Sequence, residues 1–354
     1  MYNLHLIGLP HTQTNEDYNI CAYTAKLYKF MKMFPDAIHY GNEGSLPCKN
    51  FVQIYSKEDQ HRHFGKEQWY QDGQWYKVSY NYFEPHWQEF NLRVIGELAK
   101  RIQPTDIILI IGGCAQRQIS QAFPGHISCE FGIGYEGVYA DFRVYESYAW
   151  MHYLYGKGNI EDGRFFDTVI PNGFIEEDFP MCETKDDYLL FMGRPIARKG
   201  LEVVQHLAKH HRVITAGAEP VPGCEYAGYA DTKKRGELMS KAKAVLVPTF
   251  YIGPFEGVNV EAQLCGTPVI TTDFGAFAET VLDGITGFRC HNLLEFEEAA
   301  QLAGNLPPKM IASWARAKYS LKAIAPQYNK YFDRLQLTFG KGWYETLPEL
   351  QLTD

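Results

Sequence analysis

A chain of 354 residues has room for two ordinary domains, and 45% hydrophobic against 21% charged residues marks it as folded and globular. The net charge of -8 divides evenly, about four negative charges in residues 1–170 and four in the rest, which excludes a basic arm or a nucleic-acid footprint. Eight cysteines without a CxxC pair exclude a disulfide scaffold and a zinc cluster and leave the thiols of a reducing compartment.

The opening MYNLHLIGLPHT has no basic leader, and no run of 18 apolar residues occurs, so the expectation is a soluble cytoplasmic protein. LHLIGL predicts a strand over 4–9, followed by a polar loop with His11, Thr12 and Gln13 and a helix over 17–33. A loop between strand and helix is where an open α/β sheet builds its site, which makes His11 a candidate. Strands are expected over 36–39 and 50–55. Residues 56–90 interleave charge, histidine and aromatics without a period. They read as an insertion or long loop, the alternative being a helical filler on the sheet. His61, His63 and His86 lack the number and spacing of a metal centre. A helix over 87–101 puts Phe90, Val94, Ile95 and Leu98 on one face. A buried strand over 107–111 ends at Gly112 and Gly113, and a helix over 115–122 follows. A short strand over 126–130 places Glu130 at its carboxyl end, the functional edge of such a sheet. The aromatic run over 145–155 reads as a helix with a core-facing stripe and His152 as a further candidate.

In the second half, a strand over 188–192 runs into Gly193, Arg194 and Pro195, and Arg198, Lys199 and Gly200 open a helix to 210. Two cations, Arg194 and Lys199, therefore stand in one turn. A strand over 212–215, the segment EYAGYA with Tyr229, a helix over 231–241 and a strand over 244–248 follow. The densest stretch is 250–288. It holds a loop from Gly253 to Glu256, a helix over 257–265 that carries Glu261, and the turn Cys265-Gly266-Thr267-Pro268. A β-branched strand over 269–272, a second helix opening at 275–279 and a turn at 284–287 complete it. Loops that run into helices present N–H groups without intrahelical partners, and such groups hold phosphate. Helices over 293–302 and 309–335, the latter as one or two, end the pattern.

Gly-Arg followed five residues later by Lys-Gly, then Glu261, Ala262 and the Cys-Gly-Thr-Pro turn, resembles the donor-binding core of retaining glycosyltransferases. More narrowly, it resembles the family 4 group of the GT-B fold. The likeness is strong over 168–290 and weaker before. It implies an α/β GT-B chain, two Rossmann-like domains facing each other across a cleft. The acceptor-side domain would span 1–174, the donor domain 175–330, and a C-terminal helix over 331–354 would cross back to the first. By this resemblance Arg194 and Lys199 neutralise the donor diphosphate. Glu261 bonds the ribose hydroxyls, Tyr229 flanks the base, and Phe255, Gly257 and Val258 line the donor. Cations suit this chemistry, because negative charge grows on the leaving nucleoside diphosphate.

The chain also departs from the family. The family has two glutamates with seven residues between them, and the first is replaced here by Gly253. Glu256 stands where the family usually has glycine. Either it reaches the same donor-sugar hydroxyls from a reshaped loop, or the sugar is gripped differently. The family's His-Gly near position 130 is missing, and Glu130 or His152 is left to serve; the loop at His11 lacks the adjacent glycines. The implied reaction moves a hexosyl unit, with retention, from a UDP- or GDP-linked sugar to a hydroxyl of a glycan, small sugar or protein. It asks for no metal and no resident cofactor. Aromatics at 15% suit stacking on sugar rings as well as core packing. The rival readings are a sugar-nucleotide binding protein without transfer activity, and an epimerase or hydrolase on the same scaffold. A dehydrogenase-type site lacks its GxGxxG after the first strand. The mildly acidic first domain points to at most weak association with anionic membranes.

Overall fold

The computed structural model describes residues 2–16, 21–46, 49–65 and 78–340. The start of the helix expected at 17, the middle of the 56–90 stretch and the chain after 340 lie outside them. The chain divides into two units, one of Met1–Val144, Arg164–Ile170 and Ala325–Asp354, the other of Tyr145–Gly163 and Pro171–Ile324. Residues 145–163, placed by sequence within the first domain, thus group with the second unit, as do residues 171–174.

The first unit carries strands β1 (Leu4–Ile7), β2 (Ile38–Gly41), β3 (Asn50–Gln53), β4 (Ile107–Ile110), β5 (Ile127–Ile133), β6 (Phe142–Tyr145) and β7 (Asp167–Val169). Its helices are α1 (Ala22–Met33), α2 (Lys57–Phe64), α3 (Pro85–Ala99) and α4 (Arg117–Ala122). The sheet order is β3-β2-β1-β4-β5-β6-β7, with β1 to β5 paired in parallel. Strand addition therefore reverses between β1 and β4, which opens a crevice at their carboxyl ends. IILI of β4 is wholly buried because helices cover both faces of such a sheet. Ile108 and Ile110 pack with Phe90, Val94 and Leu98 of α3.

Two expectations change here. The charged residues 57–64 after Ser56 form a helix, the alternative reading for that part of the stretch. Ser56 and Asp59 form a reciprocal capping box at the start of α2, and Arg93 of α3 grips the Asp59 carboxylate with two bonds at 2.6 and 3.0 Å. Those charges serve capping and helix pairing, which is why no amphipathic period shows. The strand that was expected to end at Glu130 continues to Ile133, so Glu130 sits mid-strand.

The second unit opens with α5 (Tyr148–Lys157). Strands β8 (Leu189–Met192), β9 (Val213–Ala216), β10 (Glu225–Tyr226), β11 (Ala244–Val247), β12 (Val269–Thr272) and β13 (Gly287–Cys290) follow. Between them run α6 (Leu201–Leu207), α7 (Thr232–Lys241), α8 (Gly257–Leu264) and α9 (Phe277–Thr280); α10 (Leu293–Leu302), α11 (Pro308–Tyr319) and the first residues of α12 (Leu321–Thr338) come after. The all-parallel order β10-β9-β8-β11-β12-β13 has the same reversal, between β8 and β11. Side chains alternate between two cores. Leu190, Val245 and Val247 meet Val260 and Leu264 of α8, and Leu189, Phe191 and Leu246 meet Val203, Val204 and Leu207 of α6.

From Ala325 onward α12 belongs to the first unit. There Tyr328 and Phe332 lie against Phe30 with ring centres 5.3 and 6.5 Å away, and the Tyr331 hydroxyl donates to the Phe166 carbonyl at 2.7 Å.

Candidate active site

The carboxyl edge of the second sheet, at the reversal between β8 and β11, gathers most of the singled-out residues. β8 runs into Gly193–Gly200, and β11 runs into the loop that ends at Glu256. Gly200 fits this junction alone: its φ is 76°, and a Cβ there would lie 2.1 Å from the Pro248 carbonyl oxygen. That close approach brings the turn before α6 onto the end of β11. The Phe250 N–H donates to the Arg198 carbonyl at 3.0 Å and stitches the two loops together.

The stitch places Lys199 against Glu256. The ammonium lies 2.5 Å from Glu256 Oε2, with both side chains largely buried. The Tyr251 hydroxyl donates to the other carboxylate oxygen, Oε1, at 2.7 Å. Arg198 and Lys199 stand 4.4 and 5.0 Å from the centre of the Tyr251 ring, so its face meets two cations. Burial first, and the Glu256 charge second, push the Tyr251 phenol above its usual pKa and keep it a donor.

Glu256 precedes α8 with φ 57° and ψ 63°, the left-handed conformation that glycine favours. Its carboxylate fills the room left by the missing side chain at Gly253, where a Cβ would lie 2.5 Å from Glu256 Oε1. The carboxylate therefore stands beside the backbone position from which the family's first glutamate projects. Gly257 and Val258 form the first turn of α8, where N–H groups have no intrahelical acceptor. One turn on, Glu261 is ion-paired with Arg235 of α7, and both side chains are mostly covered.

The other expected residues fall in different places. Arg194 is exposed in the turn after β8. Tyr229, 54% exposed, follows β10. Its loop joins the same edge, since the Gly217 N–H donates to the Gly228 carbonyl at 3.2 Å and the Gly193 N–H to the Ala216 carbonyl at 3.3 Å. Phe255 is corrected to a core residue. The residue is 2% exposed, and its ring stacks on that of Phe174 with centres 6.2 Å apart. Glu130 is corrected as well. It is fully buried in the first unit, accepts the Tyr139 and Ala140 N–H groups at 2.9 and 2.8 Å, and accepts the Tyr135 hydroxyl at 3.2 Å. Burial raises its carboxyl pKa to about 7 against those bonds. The group fastens the loop after β5.

His11 is buried beside Phe64, Tyr80 and Trp87, with ring centres 6.4, 5.7 and 6.2 Å away. Burial lowers its pKa to about 3 and keeps it neutral. His152 is exposed on α5 beside Tyr148. Three residues escaped the sequence reading, Tyr251, Arg235 and Lys185, and a fourth, Arg198, was read only as part of a helix start. Lys185 donates to Thr267 Oγ1 at 2.8 Å and to the Ser240 and Cys265 carbonyls at 2.7 and 3.2 Å, and so holds the Cys-Gly-Thr-Pro turn. Burial lowers its pKa to about 8. In sequence each of these four looks like a surface residue.

Residues 186–305 match the family model for glycosyl transferases group 1. That match covers about a third of the chain, all of it within the second unit. A glycogen synthase of Mycobacterium tuberculosis is 34% identical over 83 residues, 23% of this chain and 18% of that protein. A phosphatidyl-myo-inositol mannosyltransferase of Propionibacterium freudenreichii is 26% identical over 185 residues, 45% of this chain and 49% of that protein. The chain thus spans between about a fifth and half the length of these relatives. Among solved structures, the sucrose-phosphate synthase of Thermosynechococcus elongatus superposes with a TM-score of 0.71 over 96% of this chain and 100% of that one, at 16% identity. The fold is therefore GT-B, with an α/β sheet in each unit.

Proposed function

We propose that the protein is a retaining glycosyltransferase that moves a hexosyl unit from a nucleoside diphosphate sugar, UDP- or GDP-linked, to an acceptor hydroxyl. The observation that carries this reading is the Lys199–Glu256 pair at the start of the helix bearing Glu261. A diphosphate seated there meets the Lys199 ammonium, the exposed Arg194 guanidinium and the N–H groups that open α8. Glu261, held by Arg235, turns its carboxylate to the ribose, and Tyr229 flanks the base. Glu256 accepts from the donor-sugar hydroxyls in place of the family's first glutamate.

Transfer breaks the bond between the anomeric carbon and the phosphate oxygen, and the acceptor oxygen bonds that carbon from the same face. The acceptor proton passes to the departing phosphate oxygen. The enzyme supplies placement and charge, so no separate acid and base pair is required. The match to a transferase domain and the polar build of this edge support the reading. Each side chain would add its part at the leaving group.

The test is a screen of sugar nucleotides for hydrolysis and transfer, with product stereochemistry read by NMR. Arg194→Ala and Lys199→Ala should each lower turnover by ~10²-fold or more with the fold intact, the scale of losing one transition-state charge contact. Unchanged turnover in both sinks the phosphate assignment. Tight donor binding without transfer or hydrolysis would leave the binding-protein reading standing.

A further inference from the structure

The loop that carries Glu256 is held mainly by side chains. Among the described residues no backbone–backbone hydrogen bond reaches positions 251–255. Phe255 anchors the loop from the core side, and Asn259 Nδ2 donates to the Phe255 and Glu256 carbonyls at 3.3 and 2.7 Å. From the other side comes α5. The Ser147 hydroxyl accepts the Trp150 N–H at 3.1 Å, which caps α5, and donates to the Pro254 carbonyl at 2.7 Å.

The first turn of α5 is itself clamped. The Tyr148 and Ala149 N–H groups donate to the two carboxylate oxygens of Glu279 at 2.9 and 2.8 Å, a charge-assisted pair at a helix start. Lys318 donates to the Glu279 carbonyl at 3.1 Å and fixes it to α11. Glu279 lies just beyond Gly275, whose φ of 60° lets that turn press on Gly253; a Cβ on Gly275 would lie 3.1 Å from the Gly253 nitrogen. The contacts close a ring: the Gly253–Glu256 loop, Ser147, the start of α5, Glu279, the Gly275 turn and Gly253 again.

We propose that Ser147 and Glu279 are positioning residues for the transfer reaction, holding the Pro254 carbonyl and with it the Glu256 carboxylate in register with Lys199. The inference rests on the glycosyltransferase reading for its catalytic consequence, but the ring of contacts stands without it. Ser147 and Glu279 touch neither the diphosphate nor the sugar. They act through the loop, and a shift of about 1 Å in a carboxylate that meets the reacting sugar costs ~10²-fold in rate.

The test compares wild type with Ser147→Ala, Ser147→Thr and Glu279→Gln by amide hydrogen exchange and by steady-state kinetics. Ser147→Ala should speed exchange ~10-fold across residues 251–258, the mark of a loop freed locally. It should lower kcat by ~10- to 100-fold, while the calorimetric Kd for UDP or GDP stays within about twofold, since α8 and the 194–199 turn are untouched. Ser147→Thr should restore both, and Glu279→Gln should move both the same way by less. Unchanged exchange in Ser147→Ala overturns the proposal. So does a parallel loss of kcat, nucleotide affinity and melting temperature, which marks a general weakening. If wild type turns over no sugar nucleotide, the transferase reading fails alone, and the exchange result still decides whether Ser147 and Glu279 hold the loop.

Discussion

Glu256 is held in a backbone conformation that costs a non-glycine residue of order 1 kcal/mol or more, and its carboxylate is engaged by an ammonium and a phenol. Three residues upstream, Gly253 provides the space that the carboxylate enters. On the transferase reading proposed above, the two positions are one exchange, a carboxylate moved by three residues and a glycine moved the other way. Glu256→Gly should relieve the backbone yet lower transfer by ~10²-fold, because Lys199 loses its partner and the sugar an acceptor. Gly253→Glu alone should be worse than wild type, since its side chain collides with the Glu256 carboxylate. The double variant Gly253→Glu/Glu256→Gly should recover to within about tenfold of wild type. Steady-state transfer kinetics on all three decide it, and a double variant as inactive as Glu256→Gly would end the exchange argument. At this scale placement was legible where chemistry and spacing travel together, with Lys199 in the turn before α6, Glu261 on α8 and the Cys-Gly-Thr-Pro turn before β12. The partners were not. Nothing in FYIG or KKRGE says that Tyr251 faces Glu256 or that Arg235 pairs with Glu261, because the first contact depends on the path of an irregular loop and the second joins α7 to α8.

Elements were legible where burial wrote a pattern. IILI, LLFM, AVLV and VITT are buried β-branched or aliphatic runs and became β4, β8, β11 and β12. The short strand β13, which starts where the turn at 284–287 was expected to end, was not foreseen because Gly287 and Arg289 break its apolar run. The strand β5 misled in a different way. A carboxylate at position 130 looks like a strand end, yet the strand goes on and buries it among the N–H groups of 139 and 140. That burial has a pH signature. A carboxyl whose pKa rises from 4.5 to about 7 on folding favours the fold in its protonated form. Its contribution is whole below the unfolded value of 4.5 and is lost as pH rises through about 7. Glu130→Gln stays neutral, keeps an acceptor for the two N–H groups and offers its amide to the Tyr135 hydroxyl. Denaturant titrations of both proteins should therefore show wild type losing about 2 kcal/mol or more relative to the variant between about pH 5 and pH 8. Parallel stability curves would mean that the carboxyl is already ionised in the folded protein at low pH.

Both units repeat one strand order, with two strands added to one side of the first strand and the rest to the other. The repeat was foreseeable from the alternation of strands and helices, but the segments at which the chain leaves and rejoins each unit were not. Ala325 begins the part of α12 that packs in the first unit, where Tyr328 and Phe332 fill the space beside Phe30 and Phe131. Phe332 is fully buried there, while the Lys199–Glu256 pair belongs to the other unit. Two cores of this kind should unfold as separable transitions. Phe332→Ala removes a buried ring and should lower the first unit's stability by about 3–5 kcal/mol. Saturating UDP or GDP should raise the second unit's transition by mass action, by about 2.7 kcal/mol at a hundredfold excess over Kd. Differential scanning calorimetry of wild type and Phe332→Ala, with and without nucleotide, separates the two effects. One transition should fall with the mutation and the other should rise with the ligand. A single transition that answers to both would show that the units fold as one cooperative body.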